Sequence, residues 1–280
     1  GSANVGEWAA RTAGAWGNSL QVSVCPSATA YEETNKTTTN DSSISIGDTT
    51  LTLTSGTGFN VGDIINFGET GGHEYRITAV SSNDITFVRH PSGTGGLHTA
   101  LGGGTQVRRR WRYYDLVDKA PGTSTYTSTR SGANDEMHIV VIDEDGGITG
   151  TAGEVLEVYD SVSKASDAKT AQGDSNYYAD VIYNKSQYIY WMDHNTGGSN
   201  WGSTASGTTF TAVDSPFVDS LVSGADGSAV TTAELKSAYE KFADGDTLDV
   251  NLIIAGKGDA THIDNLITIA ENRKDAVVFC

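Results

Sequence analysis

Leu248-Asp249-Val250-Asn251-Leu252-Ile253-Ile254-Ala255, followed by Ala260 to Asn272 and then Val277-Val278-Phe279, decides the fold class of this chain. The first stretch is a nearly continuous apolar run. The second places Ile263, Leu266, Ile267 and Ala270 on one face of a helix, and the third is again an apolar strand. Strand, helix, strand at this spacing predicts a βαβ unit, so at least part of the core sheet is expected to be parallel and covered on both faces. Upstream, Thr231-Thr232-Ala233-Glu234 has the spacing of a capping box and predicts a helix running to about Ala243.

Earlier segments read differently. Leu20 to Val24 alternates apolar and polar residues, as a strand with one buried face does, and Pro26 ends it. From Ile44 to Val107, short strands (Thr50–Leu53, Asp63–Phe67, Glu74–Val80, Asp84–Val88) are separated by glycine turns, the pattern of a small antiparallel β-barrel. Met137 to Ile142 and Glu154 to Tyr159 flank Asp145-Gly146-Gly147, a hairpin turn signal. Asp174 to Tyr183 reads as a helix, Gln187 to Met192 as a strand, and His194 to Gly207 as a long loop with Trp201 its one apolar anchor. The expected fold class is therefore α+β or α/β: a mixed-sheet core with a βαβ unit, plus an inserted antiparallel β-barrel domain. The expected division is a discontinuous core at 1–26 and 136–280, an inserted barrel at 41–110, and linkers at 27–40 and 111–135.

Thirty-five acidic against eighteen basic residues give a formal charge of -17. That repels nucleic acid phosphate and anionic lipid over most of the surface. No apolar run approaches the ~18 residues of a membrane helix, and no signal-like segment is present. Two cysteines, Cys25 and Cys280, are too few for a disulfide scaffold and are expected as free thiols. Gly1-Ser2 looks like the scar of a removed tag and the last strand runs to Cys280, so the chain reads as a piece of a longer polypeptide.

Three stretches resemble the contractile tail sheath family of bacteriophages and related injection machines. Gly14-Ala15-Trp16-Gly17-Asn18-Ser19-Leu20-Gln21-Val22 is similar to that family's GxWGNxLxV. Glu157-Val158-Tyr159, with Asp174-Ser175-Asn176-Tyr177-Tyr178-Ala179-Asp180-Val181-Ile182 and on to Ser186, resembles its E-x-Y and SNYYxDVINxxS run. Leu221-Val222-Ser223-Gly224-Ala225-Asp226-Gly227 resembles its LxGGxDG turn, with Ala225 departing from the second glycine. Phe59-Asn60-Val61-Gly62-Asp63, Glu74 to Val80 and Gly93-Thr94 with His98 are similar to a small β-barrel module of many phage virion proteins. The resemblance covers about 12–25 and 136–280, and lacks the family's N-terminal arm and C-terminal domain. It implies a structural subunit that polymerises around a tail tube and contracts to drive it through the host envelope. The implied partners are other sheath subunits, the tube protein and the baseplate. The setting is the virion, after assembly in the host cytoplasm. It implies no enzyme activity, no cofactor, and no catalytic, cofactor-binding or metal-binding residue. Without its linking arms the chain is expected to be monomeric.

The candidate chemistry in the sequence points the same way. Gly256-Lys257-Gly258-Asp259 stands between a strand and a helix, where a phosphate loop would sit, but matches neither phosphate-loop pattern and reads as a plain turn. Asp143-Glu144-Asp145 clusters carboxylates without the alternating spacing of a calcium loop and reads as a solvated hairpin tip. In Arg108 to Tyr114, Arg108, Arg110, Arg112 and Tyr114 fall on one strand face and Arg109, Trp111 and Tyr113 on the other, which reads as an ion-paired strand before a nucleic-acid footprint. His73, His90, His98, His138, His194 and His262 show no zinc-type spacing, and no GxSxG elbow is present. The rival reading is a host glycan-binding module presenting Trp201; a hydrolase would need titratable residues brought together in a pocket.

Overall fold

The computed structural model describes residues 6–280 and divides into two compact units between Ala225 and Asp226. In chain order the first carries β1 (Trp8–Ala10), β2 (Leu20–Cys25), α1 (Ala28–Tyr31), β3 (Glu32–Thr38), β4 (Ser43–Ile44), β5 (Thr50–Thr52) and β6 (Ile64–Asn66). It continues through β7 (Glu74–Ser81), β8 (Asp84–His90), β9 (Leu101–Gly102), β10 (Gln106–Arg110) and α2 (Thr125–Ser128). It ends with β11 (Glu136–Asp143), β12 (Glu154–Ser163), α3 (Tyr178–Lys185), β13 (Ile189–Trp191) and β14 (Phe217–Ser220). The second unit is α4 (Thr232–Tyr239), β15 (Leu252–Ile254), α5 (Ala260–Arg273) and β16 (Val277–Phe279). The protein is mixed α and β, mostly sheet.

A four-stranded sheet, β12-β11-β2-β14, is antiparallel throughout. Every residue of β11 is buried, because the strand is covered on both faces. Met137, Ile139 and Val141 join Leu20, Val22 and Val24 in one core with Trp8, Tyr178, Ile182, Trp201 and Phe210. Val140 and Ile142 point the other way, onto Cys25, Ala30, Trp111 and Tyr113. Two-sided cover explains why Ile139 to Ile142 is apolar at every position instead of alternating.

The second cover corrects the expected domain map. Residues 27–40 and 111–135, read as linkers, hold α1, β3 and α2 and supply the outer layer of this sheet. Trp111 Nε1 donates to Ser23 Oγ at 3.0 Å, and Arg109, 1% exposed, donates to Ala30 O, Thr29 O and Asp214 O. Lys164 is fully buried, its ammonium giving hydrogen bonds to Pro26 O, Asn134 O and Glu136 O at 2.7–3.0 Å. Polar Thr/Asn/Glu composition at 31–43 misleads because β3 is a half-exposed strand, paired with β10 along Glu32↔Arg110 to Thr38↔Gln106.

The expected barrel is a six-stranded sheet, β3-β10-β6-β7-β8-β5, around its own core of Leu51, Leu53, Ile65, Tyr75, Ile77 and Phe87 with neighbours. It is not a closed barrel. Its edge strands meet at one bridge, Thr39↔Leu53, with Asn40 N donating to Thr52 O and Thr54 N to Thr38 O, both at 2.8 Å.

In the second unit β15 and β16 pair in parallel, Leu252↔Val277 to Ile254↔Phe279, as the βαβ pattern predicts. The capping box forms: Thr231 Oγ1 accepts from Glu234 N and Glu234 accepts from Thr231 N. Two expectations are corrected. The parallel pair is a separate two-stranded sheet, covered by helices on the Ile253 face while Leu252, Ile254, Val277 and Phe279 are exposed. And the buried stripe of α5 is His262, Leu266 and Ile269, with Ile267 outward.

Candidate functional site

The motif stretches make two sets of contacts, one between Asn18 and Gly224 and one within 157–186. Asn18 lies in the 3-10 turn Ala15–Ser19, where its amide clasps Gly224 from both sides: Nδ2 donates to Gly224 O at 2.9 Å and Oδ1 accepts from Gly224 N at 2.7 Å. A Cβ at Gly224 would stand 2.4 Å from Gly14 O, so only glycine fits that approach. Glu157 on β12 accepts from Tyr159 Oη (2.9 Å), Ser186 Oγ (2.7 Å) and Gln187 N (2.6 Å), fixing the end of α3 to the sheet. Asn176 Nδ2 donates to Ser161 O, which holds the start of the same helix. Tyr178 is the aromatic centre: its hydroxyl accepts from Trp191 Nε1 at 3.0 Å and meets His194 Nδ1 at 2.6 Å, and its ring meets Trp8 and Trp201 edge-on.

Beside the Asn18 clasp lies a groove of about 540 Å³ between β1 and the end of β14, lined by Glu7, Trp8, Asn18, Asp219 and Leu221 among others. Its rim at Ala9, Ala10, Ala13, Gly14 and Gly17 is nearly free of side chains. Burial, helped by the neighbouring Asp219 charge and opposed by a hydrogen bond from Asn195, pushes the Glu7 carboxyl up to about 7. Burial likewise raises Asp219, with Trp8 opposing it, yet neither Trp8 Nε1 nor Asp219 Oδ2 completes a hydrogen bond. Two half-buried carboxyls with raised pKa in an open groove are the feature that sequence reading missed. The signal available was weak: Glu7 precedes β1, Asp219 lies in the short strand β14, and folding alone brings positions 7 and 219 together.

The sequence candidates resolve into structural roles. The Asp143 carboxylate accepts from Gly146 N, Ile148 N, Thr149 N and Thr149 Oγ1, and these bonds hold its pKa below the usual carboxylate range against burial. Asp259 caps α5 by accepting from His262 N and also accepts from Thr232 Oγ1, so a carboxylate already occupies the position a phosphate would take. In the Arg108–Tyr114 stretch the faces alternate as read: Arg109, Trp111 and Tyr113 are buried, and Arg110 pairs with Glu74 at 3.0 Å and Glu32 at 3.5 Å.

His138 is buried against Trp111 and Tyr31; its Nδ1 accepts from Ser161 N and its Nε2 meets Lys119 O at 2.9 Å. Asp160 and Ser161 lie beside it, but the Ser161 hydroxyl donates to Asp160 and not to the imidazole, which is not the order of a hydrolytic triad. His73 and His98 stack on one another, and His262 packs edge-on to Tyr239. Among the described residues no group of three or more metal-capable side chains converges. Trp201 is 7% exposed and donates to Thr211 O, so it does not present a ring to a sugar. Cys25 is buried and Cys280 exposed, both free. Among the described residues no helix is long and apolar enough to cross a membrane.

No family model, curated protein or solved structure matches the chain.

Proposed function

We propose that the chain is a structural subunit of a contractile phage tail sheath, an assembly protein in which no residue has a catalytic role. The observation that supports this reading is that residues resembling family signatures in sequence serve as internal clasps: Asn18 holds the 221–224 turn beside the start of β2, and Glu157 and Asn176 fix α3 to β12. They act as framework. A framework role suits a subunit that moves as a nearly rigid body while its contacts with neighbours rearrange.

The groove supplies a surface for such a contact. β14 is an edge strand, and an unpaired edge next to a trough rimmed by alanine and glycine accepts an added extended segment readily. In this reading the occupant comes from a neighbouring sheath subunit, and tube protein and baseplate contact other faces. The glycan-binding alternative loses its principal aromatic with the burial of Trp201.

The test is antibody labelling of virions from the source phage, with antibodies raised against this chain and viewed by electron microscopy. Decoration along the whole length of a contractile tail is expected. Decoration confined to fibres or the tail tip would overturn the sheath reading in favour of host binding, and unlabelled virions would overturn both.

A further inference from the structure

At one end of the six-stranded sheet two imidazoles lie face to face. The rings of His73 and His98 are 3.7 Å apart between centroids and within 15° of parallel. His73 ends the loop that leads into β7, where Gly71 and Gly72 take φ of 104° and 67°. His98 lies toward the end of the loop between β8 and β9, where Gly93 and Gly95 take φ of 76° and 82°. Neither loop has regular structure to hold it, so its position depends on what ties it down.

Two ties join them. One is the imidazole stack. The other is Glu69, 8% exposed, whose Oε1 accepts from Thr99 N (2.9 Å) and Thr99 Oγ1 (2.7 Å) and whose Oε2 accepts from Tyr75 Oη (2.6 Å). Tyr75 Oη in turn accepts from His98 N at 2.9 Å. Beneath the ties lie Leu97, fully buried, and Phe67, 5% exposed, both members of the sheet's core.

The charged surroundings decide how the stack responds to protons. Arg89 on β8 points into the second loop, its Nε on Gly96 O and its Nη2 on Leu97 O. Glu69 and Tyr75 face the pair from the first loop and β7, while Glu74, opposite His90 in the ladder, is engaged by Arg110. One positive charge on the pair is offset by the nearby Glu69 carboxylate. A second places two cations in contact beside the permanent charge of Arg89, and Glu69 is already committed to three donors.

We propose that the His73–His98 stack is a proton-operated latch, closed when the imidazoles are neutral, whose double protonation parts the rings and loosens the loop ends at His73 and at His98–Thr99, while Leu97 stays pinned by its backbone bonds to Gly47 and Asp48. Partial burial, Arg89 and His73 all lower the His98 pKa, with Glu69 opposing. A His whose folded pKa is depressed contributes stability that is full above its ordinary value near 6.5 and is lost as pH falls through the folded value. The latch therefore opens as pH falls below the ordinary histidine value and stays shut at neutral pH.

Amide hydrogen exchange read residue by residue by NMR on the whole chain tests this, as protection factors at pH 7.5 and pH 5. We expect His98 and Thr99 to lose at least tenfold in protection at pH 5 while Ile139 to Val141 in β11 keep theirs. His73→Phe, which preserves an aromatic partner but cannot take a proton, is expected to hold the protection at pH 5. Unchanged protection in the parent chain would overturn the proposal. So would an equal loss in His73→Phe, because the acid response would then not need the paired imidazoles. If His73→Phe does not fold, His98→Phe makes the same comparison, and loss of the closed loops at pH 7.5 in both variants would also overturn it.

Discussion

At the scale of single residues, the first unit carries buried charge where its layers meet. Arg109 gives its Nη1 and Nη2, and Lys164 its ammonium, to backbone carbonyls of neighbouring segments. Burial lowers Lys164 to about 8, with Asp135 the chief opposing charge. Asp63 is the reverse case: 1% exposed, accepting from Asn60 N at 2.9 Å, and raised by burial to about 7 although Arg109 pulls it down. Its folded pKa lies above its unfolded value, so its contribution is full below about 4 and is lost as pH rises through about 7. Asp63→Asn keeps an acceptor for Asn60 and removes the titration. Measured by urea unfolding, the variant should gain about 1–3 kcal/mol on the parent between pH 5 and pH 8.5, within a ceiling of about 4 set by ~1.4 kcal/mol per unit. A constant difference across that range would show that Asp63 is ionised in the folded state at neutral pH.

Among the elements, legibility followed how local the cause was. The capping box at Thr231 and the alternating faces of Arg108–Tyr114 are written in adjacent residues, and both are found. The parallel β15–β16 pair was readable from its period. What could not be read was cover supplied from a distance. Val140 and Ile142 are buried by Trp111 and Tyr113, and nothing near β11 in sequence announces that. For the same reason the Glu7–Asp219 groove was invisible, since its two acids approach each other only in three dimensions. The hidden layer changes what can be cut from the molecule. Trp111 N donates to Tyr31 O at 2.8 Å, so the chain leaves and re-enters the core at adjacent points. Replacing 32–110 by a short Gly/Ser linker should leave one cooperative thermal transition for the remainder, because closing so short a loop costs little. Replacing 27–135 removes Ala30, Trp111 and Tyr113 and uncovers the sheet. That deletion should abolish cooperative unfolding, at ~3–5 kcal/mol for the loss of a buried Trp alone. Two equally cooperative cores would mean that the outer layer is dispensable.

For the whole molecule, the separation into two units at Ala225 and Asp226 places the weakest point of the chain in the segment that follows β14. Residues 221–231 have no helix or strand, Val222 is 75% exposed and Val230 65% exposed. Such a segment bends into a protease site at little cost, whereas cleavage inside β11 or β2 requires opening a sheet covered on both faces. The two units differ in what they hold once separated. The first keeps three clusters of buried apolar side chains; the second keeps four fully buried apolar residues and exposes four others on one sheet face. A domain of that size buries too small a share of its surface to be more than marginally stable alone. Limited proteolysis should therefore cut first between Ala225 and Thr231, beyond the Gly224 clasp. The N-terminal product should persist and melt within a few degrees of the parent chain, and the C-terminal product should be degraded further within the same time course. Mass spectrometry of the first fragments decides it. Initial cleavage in the 27–40 or 111–135 segments would show instead that those stretches are open chain, and the two-layer cover of β11 would have to be abandoned with them.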